Sequence, residues 1–441
     1  MPDRILITGC ILMKDASAPL LHDWYVAIEG SRIASLGPMH SCPDPSAYLV
    51  IDAGAKLVAP GLVNGHNHSA MTLFRGIADD LTLHDWLHNH IFPAEAAHVS
   101  EEMVYWCTKL AAAEMIGSGT TCVGDGYFFS GQAARAFVDT GMRAVVGHGI
   151  VDFPVPSVPD PTKNIETVAR FIDQWQGVSP LISPAVFAHA PYTCSPATLK
   201  GAKELAGRKD VRFFTHLAET SDELQQIIDP QANSPVRHLD ALGLLDGNTT
   251  AVHTVWLDEE DIDILAQREV AVITCPQSNA KLAAGVAPIQ KLLAAGVTIG
   301  IGTDGCASNN SLDLFREMDV LAKLQKLAHA DPTAMAARDV LLCATRSGAA
   351  AIGLFDCGQV DRGLAADLII IDLDQPRLNP LYSQDLLVYA AAGSDVSSVI
   401  INGRLVMHER KILTFDVAEA LATVSALAKA IQDRGCSRNK Q

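Results

Sequence analysis

The sequence has no Cys-x-x-Cys pair, no run rich in lysine or arginine, and no apolar stretch of the roughly 18 residues that a membrane span needs. Ten cysteines lie scattered at 10, 42, 107, 122, 194, 275, 306, 343, 357 and 436, too thinly spread for the disulfide framework of a short secreted chain. Fifty acidic residues against 33 basic ones leave a formal charge of −17. That surface repels phosphate, and with no basic run to offset it, nucleic acid and anionic membranes are poor partners. The start, Met1-Pro-Asp-Arg before an apolar run at 5–13, has neither a basic leader region nor a small-residue cleavage site. A reduced, cytoplasmic protein is expected. Aromatics are few, at 7 Tyr, 13 Phe and 5 Trp, yet 49% of the 441 residues are hydrophobic and 19% charged. This balance is globular and excludes a disordered, coiled-coil or collagen-like chain.

The first 55 residues alternate short apolar runs (5–7, 24–28, 32–36, 48–51) with Gly, Asp and Pro, which is how a small sheet reads. Residues 366–415 have the same texture, with runs at 366–371, 399–401 and 405–407 and an Asn402-Gly403 turn signal. The two flanks predict one small β-sandwich domain built from 1–56 and 364–415, although two unrelated extensions would read alike. Between 57 and 363, apolar runs recur at 57–63, 120–123, 144–146, 181–187, 211–215, 250–252, 270–274 and 297–301. Helical spacing fills the stretches between them, as at 101–116, 165–175, 196–206, 258–267 and 288–295. Eight strands separated by helices predict an α/β fold, a (β/α)8 TIM-type barrel. A doubly wound open sheet is the alternative, but no GxGxxG or GxxxxGK[ST] follows a strand run. In the last segment, 416–441, residues 417–431 read as a helix.

The densest chemistry lies in Pro60-Gly-Leu-Val-Asn-Gly-His66-Asn-His68. Residues two apart on a strand share a side, so His66 and His68 can converge on a divalent metal. Alone, such a pair is weak, because histidines also end strands as ordinary polar residues. Three further runs end in polar side chains: His216 after 211–215, His253 after 249–252, and Asp304 after 297–303. In a barrel the C-terminal strand ends meet on one face, so residues far apart in the chain can share one ion. Glu219, three residues after His216, is placed for general acid/base work. Its bland role would be negative charge at a helix start.

Together these residues, including His216-Leu-Ala-Glu219 and Thr303-Asp304-Gly305, resemble the amidohydrolase superfamily in its cytosine-deaminase-like and chlorohydrolase branch. The likeness runs over nearly the whole chain. Longer blocks are similar to the 5'-methylthioadenosine/S-adenosylhomocysteine deaminases: Asp85-Trp86-Leu, Ile91-Phe-Pro-Ala-Glu95, His189-Ala-Pro-Tyr-Thr, Pro276-Gln-Ser-Asn279-Ala-Lys281-Leu, Gly285-Val-Ala-Pro-Ile and the stretch from Thr303 to Asn310.

The resemblance implies one divalent metal, Zn²⁺ first and Fe²⁺ as the alternative, held by His66, His68, His216 and Asp304. It also implies that Asp304 takes a proton from the attacking water, that His253 holds that water, and that Glu219 protonates the purine ring. The reaction would be hydrolytic deamination of an adenine nucleoside (5'-methylthioadenosine, S-adenosylhomocysteine, adenosine or 5'-deoxyadenosine) to its inosine analogue and ammonia. Glu95 would accept hydrogen bonds from the ribose 2'- and 3'-hydroxyls, and His189 would contact purine or ribose. Trp86 would pack on the base or in the core, and the Asn279 and Asn309 blocks favour a nucleoside. The only partner implied is a small-molecule nucleoside, with a homo-oligomer left open.

One departure stands out. Relatives that accept the amino-acid-bearing substrate often carry an arginine in the third-strand segment, where this chain has His148, followed by a Pro-rich loop at 153–161. Rival readings are a guanine or pterin deaminase, a triazine hydrolase, or a non-catalytic barrel scaffold. The scaffold sits poorly with a complete set of chemistry-bearing residues.

Overall fold

In the computed structural model, which describes residues 4–227 and 234–438, eight parallel strands follow one another in chain order. They are Leu62–Asn67, Thr120–Tyr127, Arg143–Ile150, Ile182–Ala188, Phe213–Leu217, Thr249–His253, Ala271–Thr274 and Ile299–Ile301. Both faces of this sheet are covered, so its strands read as continuous apolar runs rather than alternating ones. Val63, Cys122, Val145, Phe187, Phe214, Val252 and Ile273 pack together on the inside. Their strand neighbours, such as Val123, Val146, Phe213 and Val272, pack outward among residues of the helices.

The last strand returns to the first, which makes a nearly closed barrel and excludes the open sheet. Asp304 N–H donates to the His66 carbonyl at 3.0 Å. Asn64 ties the same seam through its side chain: its Oδ1 accepts from Thr303 N–H at 3.0 Å and its Nδ2 donates to Thr303 Oγ1 at 2.7 Å. Gly302 is required here by proximity, since a Cβ on it would lie 2.8 Å from His66 N and 2.9 Å from His66 Cβ.

The run at 57–63, read from sequence as a single barrel strand, is two. Leu57–Pro60 belongs to a second sheet, and the barrel starts at Leu62. In that second, nine-stranded mixed sheet, Leu57–Pro60 pairs parallel with Arg4–Leu12 and antiparallel with Leu368–Ile371. It is the seam that joins the two ends of the chain. The Asn402-Gly403 signal is a two-residue hairpin turn between Val396–Ile401 and Arg404–His408. Both turn residues have positive φ, 48° and 76°, as a turn matched to the strand twist requires.

Helices begin where side-chain oxygens meet the free N–H groups of a first turn. Ser100 caps Glu101–Gly117, Ser195 caps Pro196–Lys209, and Asp258 forms a reciprocal capping box with Asp261 at Glu259–Gln267. The C-terminal helix is longer than its periodicity suggested, Val417–Arg438, and packs against Glu101–Gly117. Among the described residues no helix is long and apolar enough to cross a membrane, and the nine described cysteines are free.

Candidate metal and catalytic centre

Three barrel strands deliver their ends to one point. His66 lies within the first strand and His68 just past it, with ring centroids 4.6 Å apart. His216 comes from the fifth strand, and Asp304 from the turn after the eighth. One donor atom from each of these four lies within 4.8 Å of the others. Asp304 Oδ1 is 3.3 Å from His66 Nε2 and 3.4 Å from His68 Nε2, while His216 Nε2 is 3.2 Å from His66 Nε2.

The donor chemistry fits a cation. His68 Nδ1 donates to the Gly126 carbonyl, which can only accept, so His68 presents a bare Nε2 to the centre. Burial lowers the pKa of His66 to about 3 and that of His216 well below its ordinary value, keeping both neutral, as ligands must be. Burial works against ionisation of Asp304. The hydrogen bond to His66 and the fields of His68 and His253 nevertheless hold its pKa well below the usual carboxylate range. Its second oxygen, Oδ2, accepts from Ser278 Oγ at 2.8 Å and Ser308 Oγ at 2.5 Å. The carboxylate thus keeps Oδ1 for the centre.

Backbone strain collects at the same face. Ala218, His253, Thr254 and Asp304 have φ of 52°, 74°, 46° and 58°, a left-handed conformation that costs non-glycine residues about 1–3 kcal/mol each where the surroundings enforce it. These turns aim the side chains. Glu219 Oε1 lies 3.8 Å from His253 Nε2, and burial raises the Glu219 pKa while His253 pulls it down. His253 Nδ1 meets Asn279 Oδ1 at 3.0 Å. An amide oxygen accepts, so the proton sits on Nδ1 and Nε2 faces the Glu219 side.

The centre opens into a cavity of about 780 Å³. His68, His216, Glu219, His253 and Asp304 line its floor, and Glu95 and His189 line its walls. Tyr127 Oη donates to Glu95 Oε1 at 2.6 Å. His189 Nδ1 is 2.9 Å from Thr193 Oγ1, its ring centroid is 4.8 Å from that of His216, and burial lowers its pKa to about 3. Trp86 also lines the cavity, beside Leu83, Leu87 and Phe92.

Three residues singled out in the sequence lie off the cavity wall. His148 does not reach the cavity: it is buried outside the barrel wall, with Nδ1 2.8 Å from Ser130 Oγ and its ring beside Phe171. Its strand alternates, so Gly149 rather than His148 faces the site. Asn279 and Asn309 are not cavity walls either. Asn309 Nδ2 donates to the Thr303 carbonyl at 2.6 Å and to Glu317 Oε1 at 2.5 Å.

Sequence reasoning missed the supports: Tyr127, Ser278, Ser308, Glu317, and the use made of Asn279. Three consecutive residues of the helix Pro276–Lys281 each brace a different part of the site. Gln277 binds Glu317, Ser278 binds Asp304, and Asn279 binds His253. The block was visible as a family likeness, but nothing in it announced which partners it holds.

Residues 57–406 match the Amidohydrolase family. This chain belongs to the amidohydrolase family. It is 46% identical over 433 residues to a 5-methylthioadenosine/S-adenosylhomocysteine deaminase of Syntrophobacter fumaroxidans, covering 98% of each chain. A 5'-deoxyadenosine deaminase of Methanosarcina mazei is 39% identical over 98% of this chain and 99% of its own length. The solved structure of a zinc-bound adenosine deaminase from Xanthomonas campestris superimposes with a TM-score of 0.93, at 37% identity, over 97% of this chain and 98% of that one.

Proposed function

We propose that this amidohydrolase is a metal-dependent adenine-nucleoside deaminase. Its substrates are of the 5'-methylthioadenosine, S-adenosylhomocysteine, 5'-deoxyadenosine and adenosine type, and its products are the inosine analogue and ammonia. The observation that carries the reading is one cavity with a three-histidine, one-aspartate centre and Glu219 at its floor and a buried carboxylate, Glu95, on its wall. The deaminase names of its relatives support it. When bound by His66, His68, His216 and Asp304, a divalent ion, Zn²⁺ before Fe²⁺, lowers the pKa of a water from 15.7 towards about 7.

The chain's own residues do the rest. Glu219, its carboxyl pKa raised by burial against the pull of His253, gives a proton to the ring nitrogen next to the amino-bearing carbon and makes that carbon electrophilic. Asp304 Oδ1 takes the proton of the attacking water. His253 Nε2, oriented by Asn279, holds that water in line. Water's oxygen bonds to the carbon, the proton taken by Asp304 passes to the exocyclic nitrogen, the carbon–nitrogen bond breaks to release ammonia, and the proton left on the added oxygen returns to Glu219. At the other end Glu95 accepts from the two ribose hydroxyls, and His189 contacts the nucleoside between them. The setting we infer is the reducing cytoplasm, supported by free and mostly buried thiols.

Free guanine, pterins and triazines lack a diol and would leave Glu95 with Tyr127 as its partner and no ribose hydroxyl to bind, a loss a polar site penalises heavily. The test is a panel of adenine nucleosides, free bases and melamine, followed by loss of the adenine chromophore and by ammonia release, alongside metal analysis of the protein. Nucleosides should turn over and free bases should not. Faster turnover of guanine or melamine, or no more than a trace of transition metal, would overturn the reading.

A further inference from the structure

Glu219 enters the cavity from a turn at Ala218, whose φ is 52°, and that turn is gripped from two sides. The Ala218 carbonyl accepts from the N–H groups of Val255 and Trp256, both at 2.9 Å. Opposite, the Glu219 backbone N–H donates to Glu223 Oε2 at 2.8 Å. Glu223 is 1% exposed and lines neither the cavity nor its outer mouth. Among the described residues its Oε1 has no hydrogen-bond partner. A buried carboxyl with one oxygen unpaired is costly, and burial pushes this one up to about 8 against the pull of the Glu219 and Ala218 N–H groups. Folding keeps it there all the same, four residues after the proton donor.

We propose that Glu223 is a positioning residue for the deamination, fixing through the Glu219 backbone N–H the direction from which Glu219 delivers its proton. The inference rests on the proton-donor reading of Glu219. A donor must sit within hydrogen-bond reach of the ring nitrogen, and without Glu223 the backbone of the turn is gripped, among the described residues, from its carbonyl side alone.

The test measures Glu223→Ala, Glu223→Gln, Glu219→Gln and the double variant Glu219→Gln/Glu223→Ala on the metal-loaded protein. Loss of such an orienting partner lowers activity about 10–100-fold, so Glu223→Ala should lose that much kcat with KM and metal content little changed. Glu223→Gln keeps an oxygen for the Glu219 N–H and should recover most of the loss. Because Glu223 acts through Glu219, the double variant should be no slower than Glu219→Gln alone, whereas a merely structural role would multiply the two losses. Should Glu223→Ala not fold, Glu223→Asp, one methylene short of the N–H, takes its place with the same expectations. Multiplied losses, no recovery in Glu223→Gln, or wild-type kcat in Glu223→Ala would overturn the inference. Glu219→Gln with near wild-type kcat would instead overturn the proton-donor reading on which it rests.

Discussion

Glu219 and Glu95 are both buried carboxyl groups in one cavity, and burial raises the pKa of each. For Glu219 the protonated form is the useful one. Glu219→Gln keeps the size but removes the proton, so kcat should fall by at least about 10²-fold, the lower end of what general acid catalysis supplies, with metal content unchanged. In the diol-binding role proposed for Glu95 the useful form is the ionised one, since two hydroxyls need two accepting oxygens. Burial pushes its carboxyl up to about 7, with the Tyr127 hydrogen bond pulling the other way. The carboxylate fraction therefore grows as pH rises from 6 to 8, and nucleoside KM should fall by up to about tenfold over that window. The same shift, read for folding, favours the proton in the folded state. Its contribution to unliganded stability is present at low pH and is lost as pH rises through about 7. KM measured against pH in wild type and in Glu95→Gln checks this, since the variant should be flat. A wild-type KM that does not change from pH 6 to 8 would remove Glu95 from the diol.

At the scale of elements, what was legible followed from burial on both faces of a parallel sheet. Each of the eight barrel strands lies in or overlaps a run readable as continuous apolar sequence. The ends of those runs pointed to the four residues that the structure gathers into a group able to hold a metal, because barrel topology gathers C-terminal ends. Two things were not legible. The run at 57–63 is punctuated only by Pro60-Gly61, a turn signal that an otherwise apolar run masks, so a change of sheet there looks like one strand. The supports on Pro276–Lys281 act across the tertiary structure, as does the outward turn of His148, and a single strand's periodicity cannot say which of its two faces lines the site. The barrel seam belongs to this scale as well. Asn64→Ala would leave the buried Thr303 N–H without its acceptor, a loss of about 1–3 kcal/mol. Urea unfolding should show that decrease, and because the seam also carries His66 and Asp304, metal should dissociate more readily. Stability equal to wild type would mean that the backbone bond from Asp304 to His66 closes the barrel unaided.

For the whole molecule, the remaining choice is which 5'-substituent the site prefers, and charge decides it. S-Adenosylhomocysteine brings a carboxylate, which wants an arginine or lysine, and among the described residues none lines the cavity. Its walls there are Leu83, Trp86, Leu87, Phe92, Val151 and Phe153, suited to a methylthio or methyl group. His148 is turned away, and burial lowers its pKa to about 4, so it carries no charge at pH 7. Lys281, at the outer mouth, is already bound by Asp79 Oδ1 at 2.6 Å and Asn310 Oδ1 at 2.8 Å. Lys163, beside the Pro-rich loop, pairs with Glu166 at 3.4 Å and is outside the cavity. The net charge of −17 further disfavours an anionic group, partly offset by the substrate's own ammonium. Lacking one charge-assisted hydrogen bond, worth about 1.5–3 kcal/mol, S-adenosylhomocysteine should have a kcat/KM roughly 10–150-fold below that of 5'-methylthioadenosine. 5'-Deoxyadenosine and adenosine should also exceed it. Steady-state kinetics on the four nucleosides measures this order directly. A clear preference for S-adenosylhomocysteine would mean that Lys281 leaves Asp79 to meet the substrate, and Lys281→Met would then abolish that preference while sparing 5'-methylthioadenosine.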